Sequence, residues 1–230
     1  MEQPQLDNLV KELGISKDQI LREEAEMLIL DNLSKDKLAA KLIFYGGTAL
    51  RLAYGSPRFS EDLDFLALTK FNFTNFKNFL QTLVATQDGW SIANHKDKHH
   101  TMFALILIKE NKLKHNFTVK IEVRKTDKKT KLTTNLSLIK SPATIAEPLL
   151  LVPTLPTLQQ LKLDALHDRQ KARDVFDLWY IAQTLRVNLV WPQKMPKYSA
   201  REFKNELQVF LPKKYYPIIQ QLYDQTHPKN

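Results

Sequence analysis

The sequence contains no cysteine, which excludes a disulfide framework, thiol chemistry and any cysteine-ligated zinc site. No apolar run approaches the length of a membrane span. The first residues, Met1-Glu2-Gln3-Pro4, offer neither a basic start nor the apolar core of a secretion signal. A soluble cytoplasmic protein without a membrane partner is therefore expected. Acidic residues are in deficit: 25 Asp and Glu stand against 34 Lys and Arg, for a net charge of +9. That balance favours polyanionic partners such as RNA, DNA or nucleotides, although charge alone specifies affinity and not activity. Glycine is scarce, five in 230 residues, and two of the five are adjacent. With 43% hydrophobic residues the chain has enough apolar surface for one large domain or two small lobes.

The adjacent glycines, Gly46 and Gly47, follow the apolar run Leu42-Ile43-Phe44-Tyr45, which reads as a short buried strand. Two glycines permit a sharp turn and leave room for a ligand to approach the main chain. A helical pattern from Thr48 to Tyr54 follows, closed by Gly55. Unpaired amides at such a strand–turn–helix junction suit a triphosphate. Next, Arg58-Phe59-Ser60-Glu61 leads into Asp62-Leu63-Asp64-Phe65, where acidic and apolar residues alternate. The two-residue period of a strand puts Asp62 and Asp64 on one face, with Cα atoms roughly 7 Å apart. Carboxylates so placed suit a pair of divalent cations about 4 Å apart, the arrangement that moves a nucleotidyl group.

Residues 5–40 read as a helical buttress, with Ser16 capping a helix that carries Ile20, Ala25, Leu28 and Ile29 inward. Asn72 to Ala85 reads as a helix whose Phe73, Phe76, Phe79, Leu80 and Leu83 face a core. Met102–Lys109 and Phe117–Lys125 read as a hairpin. In its second arm Phe117, Val119, Ile121 and Val123 share one face, and Thr118, Lys120, Glu122 and Arg124 the other. Glu122 is the natural third carboxylate for the metal pair, with basic neighbours two residues away on its face. Lys125, Lys128, Lys129, Lys131 and Lys140 form a basic stretch that, next to a phosphoryl-transfer site, suits a nucleic-acid backbone. His95, His99 and His100 fall in a polar loop with no matched ligands, so no metal site is expected there.

Prolines 142, 148, 153 and 156 break regular structure and mark 141–157 as a linker. It divides a lobe at 1–140 from a helical lobe at 158–230. Thr157 reads as the cap of a helical segment from Leu158 to Leu185. On one continuous helix, Lys162, Arg169 and Arg173 fall within about 40° of one another, with Asp177 about 60° and Asp174 about 120° from Lys162. Apolar residues occupy much of the remaining circumference, so this helix is buried and its charges need partners. Either Asp174 and Asp177 pair with Arg169 and Arg173, or Lys162 and an arginine reach across a cleft to nucleotide phosphates. A kink near Gln170-Lys171 would change those angles.

Three motifs, Tyr45–Leu52, Arg58–Phe65 and Lys171–Leu178, occur here in an order and spacing that resemble the AbiEii/MenT family. These are nucleotidyltransferase-like toxins of bacterial type IV toxin–antitoxin and phage-defence (abortive infection) systems. The motifs span about three-fifths of the chain. The resemblance implies an α+β fold: a DNA polymerase β-like minimal nucleotidyltransferase lobe with a mixed sheet, and a C-terminal helical lobe, with the nucleotide between them. It implies Mg²⁺ on Asp62 and Asp64, phosphate or base contacts from Lys162 and Asp174, and nucleotide transfer to tRNA 3′ ends, which stops translation. It also implies a cognate antitoxin. Gly47 stands where many polymerase β-like proteins have serine, so a hydroxyl contact to the triphosphate falls to Thr48 or Ser60. Ser60, two residues before the first aspartate, is also a candidate regulatory phosphoacceptor.

The expected chemistry is attack of an RNA 3′-hydroxyl on the α-phosphate of an NTP, with two Mg²⁺ ions on Asp62, Asp64 and Glu122. Gly46, Gly47 and Thr48 would cradle the phosphates, and Lys162, Arg169 and Arg173 would add positive charge from the second lobe. Two other readings compete. One is an antibiotic-type enzyme modifying a small-molecule hydroxyl, which the basic charge disfavours. The other is a non-catalytic nucleotide- or RNA-binding module.

Overall fold

The computed structural model describes residues 1–69, 71–125, 132–169, 171–192, 195 and 198–227, with the backbone but not the side chain of Arg169. Helices α1 (Gln3–Leu13) and α2 (Lys17–Ser34) come first, and the Ser16 hydroxyl caps α2 by accepting from the Gln19 amide at 3.3 Å. The apolar run forms β1 (Leu42–Tyr45), followed without a spacer by α3 (Gly46–Tyr54), which Gly55 ends in the left-handed conformation. Strand β2 (Asp62–Ala67) and helix α4 (Phe73–Ala85) precede three longer strands: β3 (Trp90–Asp97), β4 (Thr101–Ile108) and β5 (Phe117–Arg124). Then come β6 (Thr134–Leu138), β7 (Leu149–Pro153) and helices α5 (Leu155–Arg169), α6 (Ala172–Leu185), α7 (Ala200–Gln208) and α8 (Tyr216–Thr226).

Five strands form one mixed sheet in the order β1-β2-β5-β4-β3, in which only the central β2–β5 pair is parallel. A parallel pair needs a long crossover, and α4, β3 and β4 supply it. The pleat then sorts side chains by parity. Leu63 and Phe65 of β2, with Phe117, Val119, Ile121 and Val123 of β5, enter a core shared with Met27, Leu30, Phe76 and Leu80 of α2 and α4. Phe65 stacks at a tilt on Phe44 of β1, ring centroids 5.3 Å apart. The opposite parity of β2 and β5 is left facing α5. A second cluster, including Leu166, Val175, Phe176, Phe203, Leu207 and Leu222, unites α5 to α8. The α+β fold, with a mixed sheet beside a helical C-terminal part, is the one expected.

Several local expectations change. His95 lies in β3, where its ring stacks on Phe73 at 5.9 Å, and not in a loop. As the outer strand of the sheet, β3 is half-buried on one face only, through Trp90, Ile92 and His95, and its polar second half blurs the alternation that marks such a strand. Residues 141–157, expected as a linker, hold β7, which pairs with β6, and the first turn of α5. Pro156 is tolerated there because a helix's first turn needs no amide partner. The 158–185 segment is two helices and not one: Lys171 is extended (φ −103°, ψ 139°) and starts α6 afresh. The angular argument built on a continuous helix therefore fails beyond Arg169.

Phe65→Ala should lower folding stability by roughly 3–5 kcal/mol, since it empties a fully buried site against Phe44. Urea denaturation monitored by circular dichroism measures this.

Candidate active site

Gly46 has φ +89°, a conformation that side chains rarely adopt. It also lies so close to the neighbouring strand that a Cβ there would sit 2.6 Å from Asp64 Oδ2. A Cβ on Gly47 would collide with the Arg58 guanidinium and lie 2.8 Å from Ser60 Oγ. The glycine pair thus lets the start of α3 press against both the acidic strand and the segment leading into it. Helix α3 begins at Gly46, so its first amides are left without intrahelical partners at this elbow. Thr48, expected to offer its hydroxyl to a phosphate, is buried and donates to the Asp62 carbonyl at 2.6 Å. It fastens α3 to β2, and only its amide belongs to the helix start.

Asp62 and Asp64 project from the same face of β2, as the alternation requires, while Leu63 and Phe65 are buried behind them. Parallel pairing sets Asp62 opposite Lys120 and Asp64 opposite Glu122 on β5. The expected face of β5 is the observed one: Lys120 and Glu122 are half-buried on the side of the aspartates. Lys120 Nζ lies 3.3 Å from Asp62 Oδ2 and 3.6 Å from Glu122 Oε2. Burial, then the charge of Asp62 and, less, that of Glu122, push the Asp64 carboxyl up to about 6, against the opposing pull of Lys120 and Lys162. Burial pulls the Lys120 ammonium down, but Asp62, Glu122 and Asp64 outweigh it and leave it raised.

Three hard oxygen donors on one face, already drawing an ammonium between them, suit a divalent cation in type. Among the described residues no group of three His, Cys, Asp or Glu side chains converges tightly enough to be a finished metal cluster. Lys120 occupies the place where a cation's charge would serve.

Facing the carboxylates across a cleft of about 270 Å³ are Leu158, Leu161, Lys162 and Ala165 of α5, with Asp164 and Asp168 at the rim. Lys162 is almost fully buried at the cleft wall, and its ammonium bonds Asp174 at 3.1 Å and Asp177 at 2.6 Å. Asp177 in turn accepts both Nε and Nη2 of Arg58, at 2.7 and 2.8 Å. Burial opposes charge on Asp177, yet the Arg58 guanidinium and the Lys162 ammonium overcome it and hold the carboxyl down at about 2. Asp174 and Asp177 therefore do pair internally, Asp174 with Lys162 and Asp177 with both Lys162 and Arg58; the expected pairing with Arg169 lies outside the described residues.

Of the residues singled out in the sequence, Gly46, Asp62, Asp64, Glu122 and Lys162 line the cleft together. Gly47, Thr48 and Ser60 stand behind the elbow, and Asp174 lies beneath Lys162. Arg173 is not on the cleft wall, and the Arg169 side chain lies outside the described residues. So do Lys128, Lys129 and Lys131 of the basic stretch; its described ends are paired, Lys125 with Asp97 and Lys140 with Glu147.

A cleft between a sheet and a helical layer, with a glycine elbow beside an Asp-x-Asp strand, makes comparison with known families specific. The model of the family described as nucleotidyl transferase AbiEii toxin, type IV toxin–antitoxin system, matches residues 28–213. The chain belongs to this family. It is thus a nucleotidyltransferase toxin of the AbiEii type. No curated protein gives a significant match. Among solved structures, JHP933 from Helicobacter pylori is similar with 26% identity and a TM-score of 0.54, over 74% of this chain and 68% of that one. MenT4, a nucleotidyltransferase toxin from Mycobacterium tuberculosis, shares the fold with 18% identity and a TM-score of 0.57, over 89% and 70% of the two chains.

Sequence reasoning about this AbiEii protein missed the partnership of Arg58 with Asp177 and the position of Lys120 between the carboxylates. Arg58 stands inside a motif but 119 residues from its partner, so no local pattern joins them. Lys120 was visible two residues before Glu122, yet its place opposite Asp62 depends on a parallel register that pattern alone does not specify.

The Asp64 carboxyl carries a testable sign. Its folded value near 6 exceeds the ordinary carboxylate value of about 4, so the stability it contributes is full below about pH 4 and lost as pH rises through 6. In chelator-treated protein, Asp64→Asn should gain stability relative to the parent between pH 4.5 and 7.5. A gain of about 1–2 kcal/mol allows for the part of the side chain open to solvent. Chemical denaturation across that range checks it, and a pH-independent difference would contradict the assignment.

Proposed function

We propose that this protein transfers a nucleotidyl group from an NTP to an RNA acceptor, the 3′ end of a tRNA, and so blocks translation. The observation that carries the reading is the cleft itself, where Asp62, Asp64 and Glu122 face Lys162 beside the open amides of the Gly46-Gly47 elbow. The amides at the start of α3 receive the triphosphate, favoured by the helix dipole. An ammonium has three donors, and Lys162 uses its bonds to Asp174 and Asp177 to hold a fixed direction while one donor serves a phosphate oxygen. Leu158, Leu161 and Ala165 offer an apolar wall to the base. Asp62, Asp64 and Glu122 would hold Mg²⁺, two ions in the full site, which when bound neutralises phosphate charge and makes the acceptor hydroxyl a better nucleophile. The acceptor 3′-oxygen then bonds to the α-phosphorus as the bond to the pyrophosphate oxygen breaks, and pyrophosphate leaves. Asp174 acts through Lys162, as a positioning residue. The net charge of +9 supports an RNA partner, and the family supports a cognate antitoxin.

One observation favours a second reading, transfer to a small-molecule hydroxyl: Asp164 and Asp168 give the cleft an acidic rim, which suits a small cationic acceptor better than a phosphate backbone.

Incubating the protein with each labelled NTP, total tRNA and Mg²⁺ decides between them. tRNA longer by added nucleotide is expected, and Asp62→Ala or Asp64→Ala should abolish the transfer and the toxicity while the variants stay folded. Transfer that survives either change refutes the site. Label passing only to a screened small hydroxyl compound selects the second reading.

Ser60 is half-buried behind Gly47, and we propose it as a regulatory phosphoacceptor. A phosphate there would bring about −2 charge to the elbow and the acidic strand, repelling both triphosphate and cation. Ser60→Glu should accordingly lose most transfer activity, whereas Ser60→Ala should keep it; equal activity in the two would rule the role out.

A further inference from the structure

We infer that Lys120 is a built-in counter-ion of the carboxylate site, which a divalent cation must displace and which then moves onto the nucleotide's phosphates. The inference rests on the nucleotidyltransferase reading of the cleft and adds an order to its assembly: the cation binds well only together with the triphosphate.

The argument begins with register. Parallel pairing of β2 with β5 puts Lys120 opposite Asp62 and Glu122 opposite Asp64, and strand parity turns all four side chains to one face. The ammonium stands 3.3 Å from an Asp62 oxygen and 3.6 Å from a Glu122 oxygen. These two carboxylates belong to different strands, so Lys120 links two of the three groups that would hold a cation. A divalent ion and an ammonium held within a few ångströms on shared oxygens repel strongly in a half-buried site. The cation therefore enters only if Lys120 withdraws.

Its withdrawal has a destination. The side chain is one-third exposed, on a flexible four-carbon stem, and it borders the same cleft as Gly46 and Lys162. A bound triphosphate would fill that cleft with negative charge and offer Lys120 new oxygens. Cation and triphosphate are then mutually supportive: each removes an obstacle to the other, and linkage requires the coupling to be equal in both directions. A lysine that only stabilised the sheet would predict no such reciprocity.

The test uses the full chain and two probes, Mn²⁺ alone and the Mn²⁺ complex of inorganic tripolyphosphate, both read by titration calorimetry without any turnover. Lys120→Gln should bind Mn²⁺ alone about tenfold or more tighter than the parent, because a competing charge is gone. The same variant should bind Mn²⁺-tripolyphosphate several-fold more weakly, because a phosphate partner is gone. Lys120→Arg, which keeps the charge, should stay close to the parent with both probes, and thermal melts confirm that each variant is folded. Opposite-signed changes in Lys120→Gln support the inference. Unchanged or weaker binding of Mn²⁺ alone overturns it while leaving the nucleotidyltransferase reading intact. Absence of binding of Mn²⁺-tripolyphosphate by the parent overturns that reading, and the inference with it.

Discussion

Four buried charges hold this molecule's two halves in register. Arg58 from the segment before β2, Lys162 from α5, and Asp174 and Asp177 from α6 form a linked set of two cations and two anions with almost no solvent exposure. Desolvating such groups costs about as much as their attraction returns, so the network contributes little net stability. Its effect is geometric. Each charge tolerates burial only with its partners in place, so α5 and α6 have one permitted position against the sheet. Because Arg58 also backs Gly47, the same network determines how far the glycine elbow stands from Lys162, and hence the width of the cleft.

On the other side of that cleft the balance is reversed. Asp62, Asp64 and Glu122 put three carboxylates on adjoining strands against one ammonium, and the rim adds Asp164 and Asp168. A chain with an overall excess of positive charge thus concentrates negative charge at one place. The raised Asp64 carboxyl reflects the resulting stress, which Lys120 and, less, Lys162 partly relieve within the protein. Both features agree with the proposed reading, in which a cation and a polyanionic substrate enter the site together. The strain is affordable because Leu63, Phe65, Ile121 and Val123, on the reverse parity of the same strands, anchor them in the main core.

Much of this was legible in the chain itself. The alternation of Asp62-Leu63-Asp64-Phe65 and of Phe117 to Arg124 identified both faces of the two strands, because a half-buried strand advertises its parity. The paired glycines marked the elbow, one for its positive φ and the other for its contact with Arg58. The outer strand β3 was hidden because only Trp90 and Ile92 pack on the core and its second half, Asn94 to Asp97, is polar, and the β6–β7 hairpin was hidden beneath lysines and prolines that ordinarily signal loops. The break at Lys171 was legible only as a kink near Gln170-Lys171, because LQQLKLDALHDRQKARDVFDLWY holds no glycine or proline to announce a new helix.

The sequence by itself determined which residues share a face, where the chain must turn, and that acidic, basic and glycine motifs lie together in a nucleotidyltransferase order. Those properties follow from local rules, the two-residue period of a strand and the conformational freedom of glycine. Only the tertiary structure decided which charges meet. The partners of Asp177 come from 119 and 15 residues away, and the place of Lys120 between Asp62 and Glu122 follows from a parallel register. Electrostatic pairing acts through space and takes no account of separation along the chain, so its outcome appears only once the helices and sheet have been packed.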